Sequence, residues 1–149
     1  MKRLLLFILL FVQVASAQTI TFNSGDDSFD IEFVEIGSPG NDPEFDERFP
    51  GEEKLLGGVD YAYSIAKFEA TCESFILFQF GDRCNQRREI PAAAGPETTV
   101  AYVNWLNELS GSPPAYEVDF SVPLRDLVRN PDARYFLPTA DEWHKAAYY

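Results

Sequence analysis

The chain has 149 residues, with 12 Lys and Arg against 24 Asp and Glu for a net charge of −12, and it is 46% hydrophobic and 15% aromatic. So acidic a chain repels phosphate backbones and anionic bilayers, which argues against nucleic acid and membrane surfaces as partners. The charge suits an exported soluble protein or acidic loops that attract calcium, and the aromatic content argues against wholesale disorder.

Lys2 and Arg3 precede an apolar run from Leu4 to Val14 broken only by Gln13, and Ala15-Ser16-Ala17 forms an A-x-A cleavage site. The run is shorter than the roughly 20 residues a bilayer requires, and no later run is apolar enough to span one. Residues 1–17 are therefore predicted to be a signal peptide. The mature chain then begins at Gln18, which is open to cyclisation to pyroglutamate, and is secreted or periplasmic with no remaining membrane attachment. Without Lys2 and Arg3, ten basic residues face 24 acidic ones, a net charge of −14. The remaining length suits one domain.

Residues 18–58 read as strands followed by an acidic loop. Thr19 to Phe22 and Phe29 to Ile36 alternate apolar and polar residues, the pattern of half-buried strands. Asn23 to Asp27 between them has hairpin-turn composition. From Gly37 to Gly58 the chain is rich in Gly, Pro, Asp and Glu, which predicts a long irregular loop. Its Asp42, Glu44, Asp46, Glu47, Glu52 and Glu53 could ligate calcium. Their spacing fits no ordered calcium motif, so a solvated acidic loop is the preferred reading.

Residues 59–149 carry the remaining elements. Val59 to Glu69 is a third strand candidate, with Tyr61, Tyr63, Ile65 and Lys67 on one face. Thr71 is placed to cap a helix through Phe75, Leu77 and Phe78 towards Gly81. A linker from Arg87 to Gly95 leads into an amphipathic helix over Pro96 to Leu109, with Val100, Val103, Leu106 and Leu109 as its stripe and Gly111 as its stop. A polar, proline-bearing stretch follows from Ser112 to Asp132, with one apolar run at Val122 to Leu127. Arg134 to Leu137 reads as a buried strand-like run that Pro138 ends. Thr139 and Glu142 then form a reciprocal capping box, with Pro138 and Trp143 placed as a hydrophobic staple. This last helix reaches Tyr149 without a C-terminal stop, which predicts that the domain continues. Short, mixed elements with long connections predict an α+β fold.

Little chemistry is visible in single residues. There is no phosphate loop, dinucleotide fingerprint, H-E-x-x-H zinc motif or G-x-S-x-G elbow. Cys72 and Cys84, in a chain bound for an oxidising compartment, favour a local disulfide over two free thiols. Such a link contributes about 3 kcal/mol on the chain-entropy model. Two thiolates make only half a zinc shell, and the spacing is not C-x-x-C. His144 reads as an exposed helix residue, since no nucleophile or carboxylate is tied to it by motif. Trp105 and Trp143 read as core or groove-lining aromatics, and Arg87-Arg88 as a solvated or paired basic spot. Asp141 and Glu142 lie in the first turn of the last helix, where carboxylates favour the positive end of its dipole.

The run from Arg129 to Tyr149 closely resembles the sulfatase-modifying-factor family, the formylglycine-generating-enzyme-like domains. Leu137, Pro138, Thr139, Glu142, Trp143, Ala146 and Ala147 match its Leu-Pro-Thr/Ser-x-x-Glu-Trp-x-x-Ala-Ala pattern. Tyr63 to Thr71 is similar to the family's Tyr-x-Ile-Gly-Lys-Tyr-Glu-Val-Thr, with Ala66 for Gly and Ala70 for Val. Phe75 and Phe78 stand where an aromatic pair follows. Val100 to Leu106 resembles its Asn-Trp-Leu helix, and Phe33 to Asn41 its entry strand and loop. The resemblance implies a C-type-lectin-like α+β fold with little regular structure, and calcium and copper in the full-length domain. Active members use two late cysteines to bind copper and convert a substrate cysteine to formylglycine with oxygen. Those cysteines would follow Tyr149, and Cys72 and Cys84 lie in the wrong half to serve, so no catalytic, cofactor or metal residue is assigned here. The expectation is an N-terminal part of such a domain, inactive alone, with a protein substrate or ligand at full length. The alternative is a non-catalytic lectin-like binding or structural domain of the same family.

Overall fold

The computed structural model describes residues 17–46, 55–79, 91, 92, 94–117, 123 and 126–148. Residues 1–16 of the predicted signal peptide, Gly81, Cys84, Arg87 and Arg88 lie outside the described residues. In chain order the elements are β1 (Ala17–Ser24), β2 (Asp27–Ile36), β3 (Glu44–Phe45), β4 (Leu55–Leu56), β5 (Tyr63–Ala66), α1 (Cys72–Gln79), α2 (Pro96–Leu109) and α3 (Ala140–Tyr148). The fold is mixed α+β, with small antiparallel sheets and three helices among the described residues.

β1 and β2 pair without interruption from Ser24 opposite Asp27 to Ala17 opposite Val34. Their two-residue turn places Gly25 at φ +64°, the left-handed conformation that a type II′ hairpin needs at its first central position and that glycine adopts without steric cost. β5 joins the other edge of β2, giving the order β1-β2-β5. The third strand is thus shorter than Val59 to Glu69 predicts. The acidic loop is less irregular than predicted, since β3 and β4 pair within it.

One face of the main sheet supplies the core. Ile20 and Phe22 of β1 and Phe29, Ile31 and Phe33 of β2 lie in or against it. Phe22 stacks on its cross-strand partner Phe29 at 5.3 Å, and Phe29 stacks on Trp105 of α2 at 5.5 Å. α1 adds Phe75 and Phe78, which close on Tyr102 at 4.5 and 5.7 Å. The Tyr102 hydroxyl donates to Ser74 Oγ at 2.8 Å, and burial raises its pKa. The predicted stripe of α2 holds: Val100, Val103 and Leu106 are buried. Its end is a Schellman motif, in which Gly111 N–H donates to Glu108 O and Ser112 N–H to Asn107 O. Gly111 there has φ +72°.

Two asparagines of α2 hold the irregular chain that follows. Asn104 Oδ1 accepts from Tyr116 N–H at 3.1 Å while its Nδ2 donates to Tyr116 O at 2.9 Å. Asn107, fully buried, accepts from the N–H groups of Arg134 and Tyr135 and donates to the carbonyls of Val103 and Tyr135. All four of its hydrogen-bonding positions are used. The segment from Arg134 to Leu137 is not a strand and is less buried than predicted: Tyr135 is buried, Phe136 and Leu137 are half-buried and Arg134 is exposed. An amide side chain, rather than a neighbouring strand, satisfies its backbone. Tyr116 extends the same support, since its hydroxyl accepts from Leu137 N–H at 2.9 Å.

Candidate functional site

α3 turns a polar face inward. Glu142, His144 and Lys145 are buried, whereas Trp143, Ala147 and Tyr148 are exposed. The predicted capping box opens it: Thr139 N–H donates to Glu142 Oε2 at 2.6 Å, and Glu142 N–H to Thr139 Oγ1 at 3.1 Å. The predicted staple makes no buried contact, because Pro138 is exposed and Trp143 is 50% exposed against the Tyr148 ring.

Glu142 is the centre of the cluster. Arg129 forks onto its carboxylate, Nη1 to Oε1 at 2.9 Å and Nη2 to Oε2 at 2.5 Å, and also donates to Leu137 O. The guanidinium lies over the Phe136 ring at 5.2 Å. Tyr61 donates to Oε1 at 2.7 Å, and the Tyr63 hydroxyl donates to the Glu142 carbonyl. Burial pushes the carboxyl up, but the bonds from Arg129, the Thr139 N–H and Tyr61 outweigh it and hold the pKa at about 2. Burial, reinforced by the Glu142 charge, pushes Tyr63 up to about 12. Tyr61 is raised as well, first by its bond to Glu142 and then by burial. The same carboxylate raises Arg129 against the opposing effect of burial.

A second set of contacts docks α3 on the acidic loop. Asp141 Oδ1 accepts from Gly57 N–H at 3.0 Å, and Asn41 Nδ2 donates to Gly57 O at 2.7 Å. Lys145, 1% exposed, donates to the carbonyls of Ser38 at 2.8 Å and Val59 at 3.4 Å. His144 Nε2 stands 3.6 Å from Asp46 Oδ2, both groups buried. Gly57 has φ +87° and sits so close that a Cβ there would lie 2.9 Å from His144 Nδ1.

Two expectations are corrected here. His144 is buried rather than exposed, because α3 packs by its polar side. Asp46 is not part of a solvated loop, because β3 carries it under α3 to face His144. Trp105, partly buried, packs against the core and also lines a groove, but Trp143 is half exposed. Neither Asp141 nor Glu142 serves the helix dipole alone, since each anchors a distant segment. Alternation places Tyr61 and Tyr63 only on a strand face, and Arg129 and Lys145 carry no local signal, so the contacts to α3 and the acidic loop alone reveal what these four side chains do.

The metals implied by resemblance find no matching donors among the described residues. Cys72, buried at the start of α1, is in a disulfide and so offers no thiolate. Asp42 and Glu44 are exposed, Asp46 faces His144, and Glu47, Glu52 and Glu53 lie outside the described residues. No group of three His, Cys, Asp or Glu side chains is arranged for a metal ion among the described residues. The arrangement can clamp one helix against three separate segments through charge-assisted hydrogen bonds. Comparison with known protein families, with curated proteins and with solved structures finds no match.

Proposed function

We propose that this chain carries an exported sulfatase-modifying-factor-type domain with a C-type-lectin-like fold, and that the described residues supply scaffold rather than chemistry. The observation that carries this reading is the use made of the Leu-Pro-Thr-x-x-Glu-Trp run. Its Thr139 and Glu142 close the capping box, and Glu142 binds Arg129 and Tyr61. The Asn-Trp-Leu run fits the same role, since Asn104 holds the Tyr116 backbone and Trp105 lies against Phe29 and Phe78. In this reading a disulfide joins Cys72 to Cys84, which thiol titration of native and reduced protein tests. Calcium and copper belong to the full-length domain.

The decisive experiment loads the exported protein with copper and gives it a cysteine-bearing sulfatase-type peptide. No formylglycine is expected by mass spectrometry, and its formation would overturn the scaffold assignment. The second reading, a non-catalytic binding domain of the same family, is favoured by a groove of about 490 Å³ lined by Phe78, Ala101, Trp105, Glu108 and Pro114.

A further inference from the structure

β1 is an outer strand, eight residues long, and among the described residues it pairs only with β2. Exposed strand edges are ordinarily blunted by charge, proline or a bulge. β1 has none of these. Its sequence, AQTITFNS, holds no charged side chain and no proline, and the part that remains after the predicted cleavage, Gln18 to Ser24, runs in register with β2 through seven consecutive pairs without a bulge. The opposite edge of the sheet differs: β5 has four residues, and Asp60 and Lys67 flank it closely.

We infer that the free edge of β1 pairs with β1 of a second copy of this chain, antiparallel across a twofold axis, to form a continuous six-stranded sheet. Three observations favour a second copy over an unrelated strand. β1 is compatible with itself in this register: placing Ile20 opposite Ile20 sets Thr19 opposite Thr21, so threonine meets threonine on the outer face. On the inner face Ile20 meets Ile20 on the axis, and Phe22, which already lies in the core, stands opposite Gln18. Threonine–threonine and β-branched pairs are favourable across strands, and the twofold makes the Thr19–Thr21 pair twice and the Ile20–Ile20 pair, on the axis, once. Lastly, the strand is uncharged in a chain of net charge −12, so its edge is a place where two copies can meet without directly opposed carboxylates. The remaining long-range repulsion is screened by salt, so the association strengthens as salt rises, opposite to an interface built on ion pairs.

The test is sedimentation velocity on the exported protein over a range of concentration and salt, with hydrogen exchange on β1. A monomer–dimer equilibrium is expected that tightens with salt, with β1 amides protected only at high concentration. The double variant Thr19→Lys, Thr21→Lys places lysine opposite lysine in two symmetric pairs and is expected to weaken the dimer about tenfold. Its thermal midpoint at low concentration should stay near that of the parent, which separates loss of association from loss of folding. A synthetic peptide of residues 18–24 is expected to compete with dimer formation. A monomer at every concentration overturns the inference. So does protection of β1 independent of concentration, which would mean that another part of the chain covers the edge. A dimer indifferent to the two lysines overturns it as well.

Discussion

α2 and α3 each hold irregular chain in place, but they do so with opposite chemistry. α2 packs by an apolar stripe and adds two neutral amides, Asn104 and Asn107, that bind backbone directly. α3 packs by Glu142, His144 and Lys145, and its partners are a guanidinium, two phenols, a carboxylate and backbone carbonyls. An amide cannot ionise in the accessible range, so the α2 clamp is indifferent to pH. The α3 clamp depends on charge and therefore responds to pH. The difference separates a permanent scaffold from one whose strength depends on its surroundings.

The largest expected effect breaks the α2 side. Asn107→Leu leaves the N–H groups of Arg134 and Tyr135 and the Tyr135 carbonyl without their partner. At roughly 1–3 kcal/mol for each buried unsatisfied group, a loss of about 4 kcal/mol is expected. Urea denaturation should show that loss nearly unchanged from pH 4 to pH 8.

Next in size is Glu142→Gln, on the α3 side. The carboxyl has an ordinary value of 4.5 and is held at about 2 in the fold. Its contribution is present in full above about pH 4.5 and is lost as pH falls through about 2. A difference of that size corresponds to about 3 kcal/mol at pH 7. Urea midpoints of parent and variant should be well separated at pH 7 and converge near pH 2. Equal separation at both ends would show that shape, not charge, governs the site.

This contrast also explains what could be read from the sequence. α2 announces itself because Val100, Val103 and Leu106 follow the helical period and Pro96 and Gly111 mark its ends. The capping box at Thr139 and Glu142 is equally local. The hairpin, too, follows from alternation and a glycine turn. The orientation of α3 could not be read in the same way. Apolar-in, polar-out patterning puts Trp143 inside and His144 outside, whereas the partners that reverse this, Ser38, Asp46 and Tyr61, lie about a hundred residues away in sequence. Asn107 falls on the apolar stripe of α2, i+4 from Val103 and i+7 from Val100, so its burial follows the helical period, but its partners at Arg134 and Tyr135 do not. Buried polar contacts depend on tertiary neighbours, and hydrophobic periodicity does not record them.

Tyr63→Phe is a smaller and sharper probe of the α3 clamp. It removes one hydroxyl donor to the Glu142 carbonyl, at about 1 kcal/mol near neutral pH. Its value lies in the alkaline range. The ordinary tyrosine value is 10 and the folded value about 12, so the folded state keeps this proton longer than the unfolded chain does. That contribution is present in full below pH 10 and is lost as pH rises through about 12. The parent should therefore lose part of its stability between those limits, and the phenylalanine variant should lose less.

The smallest expected effect returns to α2. Gly111→Ala meets no atom within 4 Å, so only the backbone opposes it. At φ +72° an alanine costs about 1 kcal/mol, because its Cβ crowds the adjoining carbonyl. The Schellman bonds are neutral, so the loss measured by thermal denaturation should be the same at pH 4 and pH 8. A loss that varied with pH would tie the end of α2 to the charged cluster and remove the distinction between the two clamps.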